Sequence, residues 1–343
     1  MLLSLITIVY EAELDLPDRR TELYRQCVDI LLTKWDASRD IVRRREFKSE
    51  QKRQLMQEVA WHFHTVGQRY FSERELLKFV GDFLPTIGLS KEQNIEILKE
   101  ITAENGLLKE QANGWYGFMH LTIQEYFVAQ YLSIHNMIDK IFINRHEPWW
   151  EEVILLYAGL APDASFLIKN LLDGDTRSPL KMNIRTKITN SDLLLAAKSL
   201  TARPTIKQVS LRQEVFVRLY TILLNTQRAD LRQIVATSLV DIGGKETNDK
   251  LMSLLASPQT FLAVKQSLVY ALMRQKKYFA AKILINLALD AKTDANLKNT
   301  ILLYLESWSI HGIVSVLDED EKDKVIHQFK ALTKLAENLK LKP

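Results

Sequence analysis

A single histidine stands at the start of a helix-like segment and has a position suited to chemistry. The string is GFMHLTIQEYFVAQYL, residues 117–132, and the histidine is His120. Thr122 and Glu125 have the spacing of a capping box, which predicts that a helix begins there. The N-terminus of a helix attracts anions, so His120 could donate a hydrogen bond to a phosphate. A histidine that only caps or packs fits the same residues.

Two further sets of residues suggest metal or nucleotide chemistry, and neither is complete. His62 and His64 are two positions apart, so on a helix their rings point away from a common ligand, and H-E-x-x-H is absent. Gly244-Lys245 could end a phosphate-binding loop, but Leu239 stands where the first glycine belongs. We therefore expect surface or core-edge histidines, no metal site and no enzyme activity in this chain alone.

The composition is that of an ordinary globular protein. Of 343 residues, 47% are hydrophobic, and the net charge of +4 by itself requires neither nucleic acid nor a membrane. The one cysteine, Cys27, excludes an internal disulfide and a thiolate metal cage, and it indicates a cytoplasmic location. The apolar start, MLLSLITIVY, lacks a basic leader and is shorter than the roughly 20 residues of a membrane span. We expect a buried helix there and no membrane association.

The segment 47–133 has the element order of a winged-helix domain. Apolar residues at helical spacing predict a first helix, and capping boxes at Ser72–Glu75 and Ser90–Gln93 predict two more. The string LLKEQANGWYGFMHL then predicts a β-hairpin that turns at Asn113-Gly114. Three helices and a terminal hairpin form a small fold, which usually needs neighbours to complete its core.

Winged helices often bind DNA, but the third helix argues against DNA binding here. It carries four glutamates and two lysines: Glu92, Glu96, Glu100, Glu104, Lys91 and Lys99. Phosphate contacts supply much of the affinity for DNA, so this negative charge opposes binding. The basic stretch 43–53 is the feature in favour, and we do not expect DNA as a partner.

Helical segments continue to the C-terminus and predict an α-solenoid. They are expected at 147–160, 163–172, 191–201, 209–225, 229–242, 247–256, 260–275, 278–289 and 294–306. Ser238-Leu239-Val240 recurs as Ser267-Leu268-Val269, an offset of about 29 residues, slightly shorter than a HEAT repeat. We interpret 191–343 as HEAT-like helix pairs, within a mainly α fold, and an irregular helical bundle is the alternative.

Four strings resemble, in the same order, the C-terminal half of NACHT-type signalling NTPases of the STAND class. They are MLLSLITIVY, LPDRRTELYRQCVDILLTKWD, GLLKEQANGWYGFMHLTIQEYFVAQYL and WWEEVILLYAGL, and H-L-T-x-Q-E-Y-F is the most specific part. The resemblance covers residues 1–172. It implies a remnant of the first helical domain at 1–46, a winged helix at 47–133 and a second helical region at 134–190, followed by the repeats at 191–343.

The resemblance implies a role for His120. In this family, the winged-helix histidine reaches the phosphate of bound ADP and helps to hold the closed, inactive form. The family's nucleotide-binding loops would lie upstream of Met1, so the chain looks as if its beginning is missing. His120 would then sense the phosphate only if a nucleotide domain is supplied. The resemblance implies that a full-length relative binds ATP or ADP. ADP would favour the closed state, and a trigger with ATP would favour an open, oligomerising one.

Two functions stay open from the sequence. In the first, the chain is the regulatory and sensor portion of a STAND ATPase, it holds no cofactor alone, and its repeats bind a protein partner or trigger ligand. In the second, it is a free-standing helical adaptor or scaffold that binds other proteins. Replacement of His120 separates the two, because only the first depends on a nucleotide.

Overall fold

The computed structural model of the chain describes residues 6–7, 9–11, 17, 19–37, 47–103, 107–173, 190–274, 283–285, 287–288, 290 and 293–307. These residues are mainly helical, which confirms the predicted mainly α fold. No helix among them combines the length and the apolar character needed to cross a membrane. The chain divides into two compact units, residues 1–209 and 210–343.

Helices make up most of the first unit. They are α1 (Arg20–Ala37), α2 (Ser49–Thr65), α3 (Glu73–Phe83), α4 (Asn94–Ala103), α5 (Leu121–Ile134), α6 (Ile138–Asn144), α7 (Glu151–Leu160), α8 (Ser165–Asp173) and α9 (Asn190–Thr201). Three strands join them, β1 (Phe71–Ser72), β2 (Leu108–Ala112) and β3 (Trp115–Phe118), with 3-10 turns at Leu84–Ile87, Lys91–Gln93 and Pro148–Trp150. Helix α6 lies where the sequence pattern predicted no element.

The predicted order of three helices and a hairpin is confirmed by α2, α3, α4, β2 and β3. Both predicted capping boxes form before α3 and α4. Ser72 Oγ accepts a hydrogen bond from the Glu75 N–H at 3.3 Å, and Glu75 Oε2 accepts one from the Ser72 N–H at 3.2 Å. The Ser90 N–H donates to Gln93 Oε1 at 2.8 Å, ahead of a 3-10 turn that leads into α4. The end of this helix that was predicted at Asn105-Gly106 lies outside the described residues.

The strands form an antiparallel sheet in the order β1-β3-β2. The hairpin turns at Asn113-Gly114 as predicted, with Gly114 at φ +73°. Strand β1 has two residues, too few to leave an alternating pattern in the sequence. Lys109 pairs with Gly117 across the hairpin, so the two positions share a face of the sheet.

Aromatic side chains fill the core between the sheet and the helices. The ring of Phe63 on α2 stacks on Phe71 of β1 with centroids 3.9 Å apart, and Tyr24 of α1 packs on Tyr126 of α5 at 5.8 Å. Cys27 is fully buried on α1, as predicted, and this burial raises the pKa of its thiol to about 12. Such a thiol is protonated and unreactive at neutral pH.

Helices α1 and α7 cross at very short range. A Cβ atom at Gly159 of α7 would lie 2.5 Å from Cγ2 of Thr21 on α1, so only glycine fits this crossing. Helix α7 also packs on α5 and α9, and α9 packs on α8. The winged helix and the region after it therefore share one continuous core.

The described part of the second unit includes helices α10 (Ser210–Asn225), α11 (Ala229–Ile242), α12 (Lys245–Ala256), α13 (Leu262–Arg274) and α14 (Ala295–Ser307). Helix α13 packs on both α11 and α14. Residues 283–285 and 287–288, within the predicted helix 278–289, are helical, and residues 308–343 lie outside the described part of the chain.

The repeated S-L-V string occupies equivalent positions in α11 and α13. Ser238 Oγ donates to the Ile234 carbonyl at 3.0 Å, and Ser267 Oγ donates to the Ala263 carbonyl at 2.9 Å. Both serines are almost fully buried, and the two helices pack together. Thr221, Thr237 and Ser253 make the same kind of hydrogen bond, so it does not by itself identify a repeat. The predicted HEAT-like solenoid stays a prediction.

Candidate functional site at the start of helix α5

His120 lies where strand β3 passes into helix α5. Its backbone is extended, with φ −143° and ψ 143°, and its carbonyl accepts the Ile123 N–H at 3.0 Å. His120 is therefore the N-cap residue, although its side chain does not cap the helix. The ring is half-buried at the surface. Ring and helix N-terminus lie at the same end of α5, which is an arrangement that suits an anion.

The capping box predicted at Thr122–Glu125 is wrong. Helix α5 begins at Leu121, so Thr122 lies in its first turn and Glu125 lies further inside. The strand causes this early start, because the Met119 N–H donates to the Leu107 carbonyl at 2.9 Å and keeps the chain extended as far as His120. Glu125 points into the protein and is only 7% exposed.

The environment of His120 disfavours its protonated form. Burial is the main reason that the pKa of His120 is lowered, and the positive charges of the N-terminus, Lys109 and Arg69 lower it further. Lys109 is an exposed residue of β2, and Arg69 is an exposed residue of the turn between α2 and β1. The sequence analysis did not identify either residue. Only the folded sheet brings them to the histidine.

A buried carboxylate lies further along the same helix. Burial is the main reason that the pKa of Glu125 is raised to about 7, and the charge of Glu152 adds to the effect. The charges of Arg20 and Arg69 act in the opposite direction on this pKa. Glu152 of α7 forms an ion pair with Arg20 of α1. Helices α1, α5 and α7 therefore meet around two carboxylates and the Arg20 guanidinium.

The other histidine candidates differ from each other. His62 is exposed and stacks on Phe79 at 4.6 Å, as expected for a surface residue. His64 is fully buried, and no hydrogen-bond partner for either ring nitrogen lies within the described residues. Its ring stacks on Trp149 at 4.8 Å, and burial lowers the pKa of His64 to about 4. His64 is thus a neutral core residue, which the two-residue spacing alone does not reveal.

The Gly244-Lys245 pair forms the joint between α11 and α12. Gly243 and Gly244 have φ values of +62° and +91°, which glycine adopts readily, and Lys245 is the first residue of α12. In the described ranges, no group of three or more His, Cys, Asp or Glu residues could hold a metal ion.

A comparison with protein families identifies the segment that carries His120. Residues 20–132 match the model of the winged helix-turn-helix domain C-terminal to NACHT. No curated protein and no solved structure matches the chain. The matched family is a winged-helix domain and not the NTPase domain itself. The match includes α1, and the predicted domain boundaries at residues 46, 133 and 190 stay predictions.

Proposed function

Since residues 20–132 belong to the winged-helix family that lies C-terminal to NACHT, we propose that this chain is the regulatory portion of a NACHT-type, STAND-class signalling ATPase. The family match is the observation that carries the proposal. It agrees with the resemblance in the sequence, which supports a C-terminal portion of a NACHT-type protein. Hydrolysis of ATP belongs, in this proposal, to the NACHT domain.

His120 is the proposed contact to the nucleotide. It stands at the N-cap of α5, half-buried, with Arg69 and Lys109 close enough to lower its pKa. A histidine in this setting donates well to a phosphate oxygen, because the helix N-terminus and the two cations stabilise the same negative charge. ADP on the NACHT domain would thereby bridge to the winged helix and favour the closed form.

The helices after residue 190 form the sensor part of the proposal. A HEAT-like array there would bind a protein partner or trigger ligand and oppose the closed form. The recurrence of the S-L-V string in helices α11 and α13 supports a repeated unit. With ATP on the NACHT domain, the open form would then oligomerise. The single cysteine supports a cytoplasmic location for the switch.

The test is the retention of ADP by the chain joined to a NACHT nucleotide-binding domain. His120→Ala is expected to release ADP at least about tenfold faster than the unchanged protein, since a hydrogen bond to a charged group contributes about 1.5–3 kcal/mol. His62→Ala removes an exposed histidine from the same domain and serves as the control. Equal release of ADP from the His120→Ala protein and the unchanged protein would contradict the proposal.

A free-standing adaptor is the second candidate, and exposed apolar side chains in the second unit favour it. Val217, Ile234 and Phe261 are 49%, 48% and 77% exposed. A contiguous apolar patch is typical of a protein-binding surface, and an adaptor would use these three side chains to form one. In an adaptor, His120→Ala would change neither nucleotide retention nor partner binding, so the same variant distinguishes the two functions.

A further inference from the structure

Three aromatic side chains form a row where helices α2 and α5 pack together. The ring of Trp61 on α2 stacks on that of Tyr131 on α5, with centroids 5.0 Å and planes 12° apart, and Tyr131 contacts His135 at 4.1 Å and 37°. In the described part of the chain, Trp61 and His135 make no ring contact with each other, so Tyr131 stands between them. The buried Trp150 ring lies across the Trp61 end at 6.2 Å and 81°, whereas His135 is exposed. The row therefore reaches solvent at His135.

Helices α2 and α5 run in opposite directions along their contact. Gln124, near the start of α5, donates from Nε2 at 3.0 Å to the carbonyl of Gln68, which lies just beyond the end of α2. About two turns earlier in α2, Trp61 contacts Tyr131, which lies about two turns later in α5. One more turn back along α2 therefore lies beside one more turn forward along α5. This register places Glu58, three residues before Trp61, next to the C-terminal end of α5.

A carboxylate, that of Glu58, accompanies the rings at this end of the row. Within the described residues, the half-buried side chain of Glu58 makes neither an ion pair nor a hydrogen bond. Burial raises the pKa of Glu58, and the charge of His135 acts against this effect. Burial also raises the pKa of Tyr131, and the charge of Glu58 adds to the increase. Both effects agree with the position that the helix register gives to Glu58. A bound cation would stabilise this carboxylate, because burial has weakened its hydration.

The end of helix α5 is fixed in place and favours a cation. The Met137 N–H donates to the Leu132 carbonyl at 2.9 Å, and Asn136 has a φ of +53°. These are features of a Schellman turn, which ends the helix and holds His135 at the C-cap. The C-terminus of a helix carries partial negative charge, which acts in the same direction as the carboxylate of Glu58.

We propose that the exposed end of this row, formed by Glu58 and His135, binds the side chain of an arginine from a partner protein. The planar guanidinium stacks on the His135 ring and donates hydrogen bonds to the Glu58 carboxylate. A row of stacked rings suits a planar cation, whereas a quaternary ammonium is typically bound by rings that enclose it. Ile134, three residues after Tyr131 and 61% exposed, offers apolar surface to the arginine stem.

The proposed arginine site is separate from the proposed nucleotide contact. His120 begins helix α5, and His135 follows the last residue of the same helix. A helix of 14 residues is about 21 Å long, so the two sites lie at opposite ends of α5. Binding of arginine therefore does not depend on a nucleotide.

N-acetyl-arginine amide, titrated into the full chain, tests the site directly. Binding is followed by the backbone amide NMR signals of residues 133–137, which every variant retains. The titration is run at pH 8, because a protonated imidazole would repel the guanidinium. We expect saturable binding with a dissociation constant of about 1–30 mM, as for one cation held by rings and a carboxylate. No saturable binding up to about 100 mM overturns the proposal.

Two substitutions separate the carboxylate from the ring. Glu58→Gln is expected to weaken binding of the arginine probe about fivefold, since it removes the charge and retains the shape. Glu50→Gln removes a glutamate with a 72% exposed side chain from the same helix and leaves the affinity unchanged. His135→Ala is expected to weaken binding about threefold or more, whereas His135→Phe retains it, because phenylalanine restores an aromatic face. Unchanged affinity in the Glu58→Gln protein, or equal affinities in the two His135 variants, contradicts the proposal.

Parallel titrations with N-acetyl-lysine amide and choline identify the kind of cation. The lysine probe is expected to bind at least about threefold more weakly than the arginine probe, because an ammonium neither stacks as a plane nor donates as a fork. Choline is expected to bind more weakly still, since it cannot donate to Glu58. A lysine probe or choline that binds as tightly as the arginine probe overturns the assignment to arginine.

Discussion

Protonation of His64 should destabilise the first unit below neutral pH. The ring is 0% exposed, lies between Trp149 and Trp150 at 4.8 and 5.1 Å, and has two buried nitrogens without a partner in the described residues. Trp149 Nε1 donates to the His64 carbonyl at 3.0 Å, so backbone and ring are held together. A positive charge cannot be solvated there, and burial lowers the pKa of His64 from 6.5 to about 4.

The direction of this change in stability with pH follows from proton binding in the folded and unfolded chains. The unfolded chain binds the proton below pH 6.5, whereas the folded chain does so only near pH 4, so stability is complete above pH 6.5 and falls as the pH decreases. From these two pKa values, the loss in free energy of unfolding is about 2 kcal/mol at pH 5 and about 3 kcal/mol at pH 4. Glu125 acts oppositely over this range, because its pKa is raised to about 7 and its protonation favours the fold.

The His64→Phe variant isolates the contribution of this residue. Phenylalanine retains the stacking and removes both polar nitrogens, so we expect the variant to equal or exceed the unchanged protein in stability at pH 7. Urea unfolding, followed by tryptophan fluorescence, is measured for both proteins at pH 7 and pH 5. Five of the six tryptophans lie in the first unit, at positions 35, 61, 115, 149 and 150, so this signal reports mainly on that unit.

The variant's advantage over the unchanged protein should grow by about 2 kcal/mol between pH 7 and pH 5. His62→Phe, an exposed position on the same helix, controls for the general effect of the substitution. An advantage that is the same at both pH values would refute the reasoning, because it would mean that His64 is protonated as easily in the fold as in the unfolded chain.

Three further substitutions test the packing and charge of the first unit. Gly159→Ala should lower the free energy of unfolding by about 1–3 kcal/mol, because the new Cβ would lie 2.5 Å from Thr21 Cγ2. In a urea titration, adding Thr21→Ala to the same chain should restore most of this loss. Glu125→Gln should raise the free energy of unfolding by about 1–3 kcal/mol at pH 8 but not at pH 5. Burial raises the pKa of Glu125 because it penalises only the ionised carboxylate, which is present at pH 8. Equal gains in stability at both pH values would exclude this cause. Ser72→Ala should cost about 0.5–2 kcal/mol through the lost cap of α3, with Ser253→Ala, an exposed serine inside α12, as a comparison.

Much of the fold follows from the periodicity of the sequence. The predicted helix 229–242 has the same bounds in the structure, and the boxes at Ser72 and Ser90 fix the starts of their helical segments. Helix α6 was not predicted because seven residues, Ile138–Asn144, span only about two turns and cannot show a clear 3.6-residue period. Strand β1 is stabilised by its partner β3 and not by its own sequence, which is a tertiary effect.

The candidate site was predictable only at its central residue. His120 lies in a recognisable string, whereas the charges of Arg69 and Lys109 act on it only in the folded sheet. Glu125 was misread because the capping-box pattern describes spacing and not depth, so a buried acid fits it equally well. Pairing register and burial are properties of the whole fold, which local spacing does not encode.

Several residues of the string H-L-T-x-Q-E-Y-F have structural roles that do not depend on any ligand. Gln124 holds the turn before Arg69, and Tyr126 packs on Tyr24 and accepts a hydrogen bond from Gln130 at 2.9 Å. A match to this string is therefore evidence that α5 and its surrounding turns are built in the same way as in the family. It is weaker evidence for what His120 binds, because a chain that had lost its nucleotide would still need these side chains to fold. The retention of ADP by the His120→Ala protein, and not the motif, decides between a working sensor and an inherited scaffold.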